Sequence, residues 1–411
     1  MRNLAARAEH LDATDPLSGF RERFVLPEGL IYLDGNSLGA LPRATWPRMS
    51  EVLSREWGDG LIGSWLGAGW VAAPRRIGDL IAGLVGAAPG EVIATDSTSV
   101  NIFKVLTAAL SLRPDRSVIL SESGNFPTDL YMMQGIEAVS GGRVRAETVP
   151  PDAVLDRLRE DVAVLLLTHI HYKSGAMRDL AGVTARARAA GVLTVWDLSH
   201  SVGAVPLDLN GAGADFAVGC GYKYLNGGPG APAWLFAAGR HQDALPVLSG
   251  WFGHARPFDF DDAYEPADGI DRFQCGTPPI LGLAALETGV ELMLEADMGA
   301  IRQKSLQLAE LLIAAMEPLC ERHGFALVSP RDPGSRGSHV SFAHLMGYPI
   351  MQALKAARVI GDFRAPDILR FGLTPLTLRH IDIVEAVDRL AVICDTRAWD
   401  RPDYHVRAAV T

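Results

Sequence analysis

Within positions 192–236, three side chains follow one another in an order suited to amine chemistry: Asp197, His200 and Lys223. Leu193-Thr194-Val195-Trp196-Asp197 is an apolar run that reads as a buried strand presenting a carboxylate at its C-terminal end. A second apolar segment, 215–219, leads into Tyr222-Lys223-Tyr224 and then a Gly/Pro-rich turn at 226–232. Solvated lysines usually lie among other charges, and Lys223 lies between two tyrosines. A carboxylate that can pair with a pyridinium nitrogen, plus a lysine that can form an imine, is what pyridoxal phosphate chemistry needs. Strand-end acids also cap helices, so these two residues alone leave a purely structural reading open.

Such strand ends need a sheet to hold them. Segments 92–94, 118–120, 143–149, 162–168, 216–219 and 234–236 read as further strands. Helical patterning intervenes at 77–85, 102–112, 151–160 and 184–190. This alternation predicts an α/β fold with a mostly parallel sheet covered by helices on both faces. Asp96-Ser97-Thr98-Ser99-Val100-Asn101 opens one of those helices. Small hydroxyl residues there are ordinary caps, and they are equally what cradles a phosphate. Segment 57–70 sets three tryptophans among glycines, unlike a helix or a strand, and reads either as a structural loop or as a wall for a flat substrate. From about Pro279 long amphipathic segments, 281–298 and 301–319, precede short strands at 326–328, 339–342 and 368–371 and a helix at 381–395. That is a separate α+β module. The expected division is an N-terminal segment, 1–45, packing with a small domain at 281–411, and a large domain at 46–280.

A chain of 411 residues is long for one core, which supports two domains. Its 48% apolar and 21% charged residues are those of a globular protein. A net charge of −10 argues against nucleic acid or an anionic membrane as partner. The longest apolar run, 162–168, is strand-sized, so no membrane span is expected. The N-terminus has no apolar h-region and is not read as a signal peptide. Cys220, Cys275, Cys320 and Cys394 are scattered without metal-like spacing, which suits reduced thiols in a cytoplasmic protein. His169 and His171 have no acid or cysteine at suitable spacing, so no metal site is expected. No Gly-x-Gly-x-x-Gly follows the first strand, which removes a nicotinamide reading.

Blocks spread over most of the chain resemble kynureninase, a member of the aspartate-aminotransferase fold (type I) of pyridoxal phosphate enzymes. They are YLDGNSLG at 32–39, STSVN at 97–101, NFPTDLY at 125–131, DLSHSVG at 197–203, GYKYLNGGPG at 221–230, GWFGH at 250–254, TPPIL at 277–281 and ILRFG at 368–372. DLSH followed by YKYLN is the most specific of these. The resemblance implies a seven-stranded, mostly parallel sheet between helices and a smaller C-terminal α+β domain. It also implies hydrolysis of L-kynurenine to anthranilate and L-alanine in tryptophan catabolism and NAD supply.

The resemblance further assigns roles. Lys223 would bind the cofactor covalently, and Asp197 would pair with its ring nitrogen. Phe126 would stack on the ring, with Pro127, Thr128, Asp129 and Thr168 around it. His200 would lie beside Asp197 or the cofactor's 3-oxygen, or simply be packed. Thr98, Ser99 and Tyr222 would hold phosphate, joined by Trp251 and Thr277 from the other subunit of a homodimer. Tyr222 would also be a general acid. Arg370 would clamp the substrate α-carboxylate through its two-pronged guanidinium. Trp65 and the Gly276-Thr277 pair resemble the bacterial form, which favours kynurenine over its 3-hydroxy derivative. Ser99 departs from the threonine frequent in the family. The same fold hosts cysteine desulfurases, which need a mobile nucleophilic cysteine. Cys275 is the only candidate near a site motif.

Overall fold

The computed structural model describes residues 2–407. Its central sheet has seven strands in the order Val92–Ala94, Trp234–Ala237, Phe216–Gly219, Leu193–Asp197, Val162–Thr168, Val118–Glu122, Arg145–Val149. Only Trp234–Ala237 runs antiparallel to its neighbours. Val162–Thr168 and Leu193–Asp197 are buried at every position, which explains their unbroken apolar runs: both faces are covered. Val164 and Leu166 pack with Ile102, Val105 and Leu106 of the helix Thr98–Ser111. Leu165 and Leu167 turn to the opposite face and join Ile77, Ile81 and Val85 of the helix Ala73–Val85.

A second buried cluster underlies the four-stranded antiparallel sheet of Ala326–Leu327, His339–Ala343, Ile368–Gly372 and Asp362–Arg364. The helices Met298–His323, Gly347–Ala356 and His380–Asp395 contribute to it. The helix Arg2–Ala13 joins this layer. Its Asp12 carboxylate accepts the N–H groups of His380 at 2.7 Å and Ile381 at 3.0 Å, capping a helix 368 positions away with a favourably placed negative charge. Ile31–Tyr32 pairs in parallel with Val359–Ile360.

Three expectations need correction. Segment 151–160 forms turns, not a helix. Val154 is its one fully buried side chain, so packing gives a helix little support, while Arg157 is drawn aside to Glu147 and Asp161. Segment 57–70 is helical in consecutive short pieces, a π-helical stretch Val52–Asp59, a 3₁₀ turn Leu61–Gly63 and an α turn Ser64–Gly67. Glu56 braces it, its carboxylate accepting from Trp70 Nε1 at 2.7 Å and pairing with Arg48. The helix Ile280–Leu294, expected to open the small domain, packs with the large sheet: Leu283, Leu286, Val290 and Met293 share the cluster of Trp196 and Trp234.

Candidate active site

Parallel strands end on one edge of the large sheet, and the crevice outside such ends is where open α/β sheets bind ligands. Here the edge carries a cavity of about 280 Å³. Thr168 and Asp197 reach it from adjacent strand ends, and Tyr222 and Lys223 from the turn after Phe216–Gly219. Ser97, Thr98 and Ser99 enter from the start of the helix Thr98–Ser111, and Phe126, Thr128 and Asp129 from the start of the helix Pro127–Val139. His200, Ser199 and Tyr172 complete the wall.

Lys223 Nζ lies 6.0 Å from the Phe126 ring centre and 5.8 Å from that of Tyr222. Among the described residues it has no hydrogen-bond or ion-pair partner. Burial pushes its pKa below the ordinary lysine value, against the pull of Cys220 and Asp197. Asp197 Oδ1 accepts the Ser199 N–H at 2.8 Å, and no cationic side chain among the described residues is within ion-pair distance. Burial raises its pKa, while the Ser199 hydrogen bond and the Lys223 charge oppose the rise. Burial holds the Asp129 carboxyl well above the usual range, and the charge of Asp197 adds to this. The Thr168 hydroxyl touches both Asn125 Oδ1 and Asp129 Oδ2 with a single proton, so a protonated Asp129 completes the set. His200 is pushed well below its usual pKa by burial and then by Lys223, and is therefore neutral. It stands edge-on to His339, ring centres 5.3 Å apart, with Nδ1 unpartnered.

A buried amine without an anion and a buried carboxylate without a cation are costly unless a ligand satisfies both. A phosphate-bearing pyridinium aldehyde fits this donor set: ring nitrogen to Asp197, aldehyde to Lys223, flat face to the partly exposed Phe126. The N–H groups of Thr98 and Ser99, at the start of the helix Thr98–Ser111, would serve the phosphate, that of Val100 being taken by Ser97 Oγ at 3.4 Å. A neighbouring cavity of about 460 Å³ shares Ser97, Thr98 and Tyr222 and adds Thr277.

Gly39, within the YLDGNSLG block, shows why that loop matters. Its N–H donates to Tyr222 O at 2.8 Å, and a Cβ on it would sit 2.2 Å from Lys223 O. Gly39→Ala is therefore expected to displace the lysine backbone, lowering stability by about 1–3 kcal/mol and slowing turnover. A thermal melt and an activity assay that both match the parent protein would contradict this.

Six expected site residues do not line the cavity within one chain, Thr277 among them, on the neighbouring one. Arg370 is buried behind it: Nε donates to Asp362 Oδ1 at 2.8 Å, Nη2 to Ser37 Oγ at 3.0 Å and Nη1 to Tyr172 O at 2.7 Å. One peptide group thus separates its guanidinium from the cavity wall. Trp251 lies 39% exposed on a separate cavity of about 410 Å³ with Arg256 and Phe260. Trp65 is half-buried, its ring centre 5.6 Å from Trp70 and 5.7 Å from Phe252. Gly276 faces open space, and Pro127 starts a helix. Sequence reasoning missed Tyr172, which stands edge-on to Phe126 at 5.2 Å, and Asp362. The alternation Asp362-Phe363-Arg364, not among the strands expected from the sequence, was the available signal for the latter, since Asp362 sits opposite Arg370 in the sheet.

Other polar groups nearby are committed elsewhere. His169 Nδ1 meets Ser201 Oγ at 2.9 Å, and burial lowers its pKa to about 4. His171 Nε2 meets Gly124 O at 3.0 Å. Cys275 donates to Leu248 O at 3.1 Å and burial pushes its thiol pKa up, the opposite of what a nucleophilic cysteine needs.

The family described as "Kynureninase C-terminal domain" matches residues 301–390. The kynureninase of Burkholderia pseudomallei (strain K96243) is 52% identical over 407 residues, spanning 98% of each chain. Among solved structures, the apo cysteine desulfurase of Thermococcus onnurineus NA1 superposes with a TM-score of 0.76 at 17% identity, over 92% of this chain and 97% of that one. A C-DES variant with glycine covalently linked to its PLP cofactor superposes with a TM-score of 0.75 at 20% identity, over 90% and 98%. The fold is therefore the one these enzymes share.

Proposed function

The chain belongs to the kynureninase family, and from that premise we propose that it hydrolyses the Cβ–Cγ bond of L-kynurenine, giving anthranilate and L-alanine, with pyridoxal phosphate as cofactor. The observation that carries this reading is the pair of unmatched buried charges, Lys223 and Asp197, on one cavity with an aromatic wall. When bound, pyridoxal phosphate supplies an aldehyde that condenses with amines and a ring that accepts an electron pair.

The residues do the rest. Asp197 provides the fixed negative charge that keeps a ring-nitrogen proton in place. Lys223 would hold the aldehyde, and its depressed pKa suits it, when free, to take the substrate Cα proton. Thr98, Ser99 and the helix N-terminus behind them hold the phosphate, with the helix dipole favouring its charge. Thr128, Asp129, Thr168 and His200 position the ring around these anchors. Arg370, held one peptide group behind the cavity wall by Asp362, Ser37 and Tyr172 O, would clamp the α-carboxylate once its Nη1 exchanges Tyr172 O for it.

Burial also raises the Tyr222 pKa, so the phenol keeps its proton and suits a general acid for the departing alanine carbon. Tyr222→Phe should slow alanine formation by about 10²-fold or more, a larger effect than its loss of cofactor affinity. A loss confined to cofactor affinity would remove the acid role.

Trp65, Gly276 and Thr277 support a preference for kynurenine, with 3-hydroxykynurenine used less well, in tryptophan catabolism and NAD supply. Trp251 and Thr277 would serve the site of a second copy in a homodimer. Support comes from the exposed Ile62 and Leu66 beside Trp65, 81% and 84% accessible, an apolar surface suited to burial. The proposed location is the cytoplasm, a reading the free thiols of Cys220, Cys275, Cys320 and Cys394 support. We read the chain as two units, with the helix Ile280–Leu294 assigned to the large one and residues 1–45 bridging to the small one. Anthranilate fluorescence from kynurenine, set against sulfide release from cysteine, tests the activity. Sulfide without anthranilate would refute it.

A further inference from the structure

The strand Leu193–Asp197 ends at the candidate active site and begins at another cavity, of about 440 Å³. At about 3.3 Å per residue the two ends are roughly 13 Å apart. Arg113, Arg188, Arg240, His241 and Asp215 line this second cavity, with the chain from Gly191 to Leu193. Its volume lies in the ~300–1,000 Å³ range of small-molecule pockets.

Its charge is not balanced. Asp215, the one carboxylate in the lining, accepts from Arg240 Nη2 and His241 Nε2, both at 2.8 Å, and from Thr194 N at 2.9 Å. It is thereby spent on Arg240. Arg113 and Arg188 have no carboxylate partner among the described residues. Neither has Arg116, which donates to Ala190 O at 3.0 Å beside the same turn. Asp115, exposed between Arg113 and Arg116 in sequence, makes no ion pair with them.

These guanidiniums are held in place by backbone. Arg113 Nε donates to Gly191 O at 3.0 Å, Arg240 Nη2 to Gly213 O at 2.9 Å, and Arg188 Nη2 to the same Gly213 carbonyl. Arg113 Nη2, Arg188 Nη1 and Arg240 Nη1 keep donors without a partner among the described residues. The structural explanation for arginines here is capping, since the helices Thr98–Ser111 and Leu180–Ala189 end nearby. Two helix C-termini supply about one negative charge in total, at about half a charge each, against three uncompensated guanidiniums. Roughly two positive charges are left over, in a protein whose net charge is −10.

We propose that this cavity binds a small phosphate-bearing metabolite, a phosphate monoester. Its dianion matches the surplus, and planar N–H forks match phosphate oxygens in pairs. The His241 ring, stacked on Phe216 with centres 5.4 Å apart, offers a rigid wall beside the ester group.

The test titrates the pyridoxal phosphate-loaded enzyme, whose own phosphate site is then filled, with inorganic phosphate and with glycerol phosphate. Calorimetry is run at constant ionic strength held by chloride. The expected result is saturable binding at one site per chain, tighter for the monoester. Arg113→Gln with Arg188→Gln should weaken it about tenfold or more, the loss for a charge-assisted hydrogen bond, without changing kynurenine turnover. Inorganic phosphate binding as tightly as the monoester would overturn the ester in favour of the free ion. No saturable heat with either ligand, or heats unchanged in the double variant, would overturn the site itself. If the double variant does not fold, Arg188→Gln alone, at an exposed side chain, must still weaken binding; an unchanged affinity there overturns the proposal as well.

Discussion

Replacing Lys223 with alanine is expected to slow kynurenine turnover by about 10³-fold or more, because in the proposed mechanism one side chain both anchors the cofactor and moves the Cα proton. The protein should nevertheless fold. Lys223 Nζ has no partner among the described residues to lose, and burial already disfavours its charge. The apo-protein is therefore expected to melt no lower than its parent. Lys223→Arg sharpens the point: the guanidinium keeps a positive charge but cannot lose its proton, so this variant should be as inactive as alanine. Anthranilate fluorescence and a thermal melt measure the two halves. An active Lys223→Arg enzyme would show that the charge, not the transferable proton, is what the site uses.

The second large effect is expected at Arg370. Arg370 and Asp362 are each 2% exposed at the side chain, a buried pair joined through two guanidinium nitrogens. Removing one partner of a buried pair costs about 3–5 kcal/mol, because the other is left charged without compensation. Arg364, 2.8 Å from Asp362, remains, which puts Arg370→Ala at the lower end of that range. If Arg370 also orients the substrate carboxylate, kcat/KM should fall about 10²-fold or more, the worth of a paired charge-assisted contact. Stability and catalysis separate in the double variant. Adding Asp362→Asn removes the stranded charge and should restore much of the melting temperature, yet kcat/KM should stay low. Recovery of both together would mean that Arg370 acts only by supporting the fold.

What could be read from the chain followed from local pattern. Val162–Thr168 and Leu193–Asp197 are continuous apolar runs because both sheet faces are covered, so strands, parallel pairing and the carboxylate at a strand end came out together. Lys223 stood out because a position between two tyrosines and before a glycine turn is unusual for a solvated lysine. The failures have equally physical causes. Segment 151–160 carries helical spacing without enough buried side chains to anchor a helix. The helix Ile280–Leu294 is apolar on most sides, so nothing in its own residues says which of two cores takes it. The corner around Arg370 depends on Ser37 meeting it across 333 positions, and on Tyr172 from a loop without periodicity. No local spacing encodes those contacts. Trp65, Gly276 and Trp251 were named by resemblance, and within a single chain they stand away from the cavity.

The most direct measurement is borohydride reduction of the enzyme loaded with pyridoxal phosphate, followed by peptide mass spectrometry. The expected result is a phosphopyridoxyl group on the peptide carrying Lys223, absent from an Asp197→Ala protein that no longer retains the cofactor. A label on another lysine, or none in a protein that still turns kynurenine into anthranilate, would contradict the assignment of this cavity as the active site.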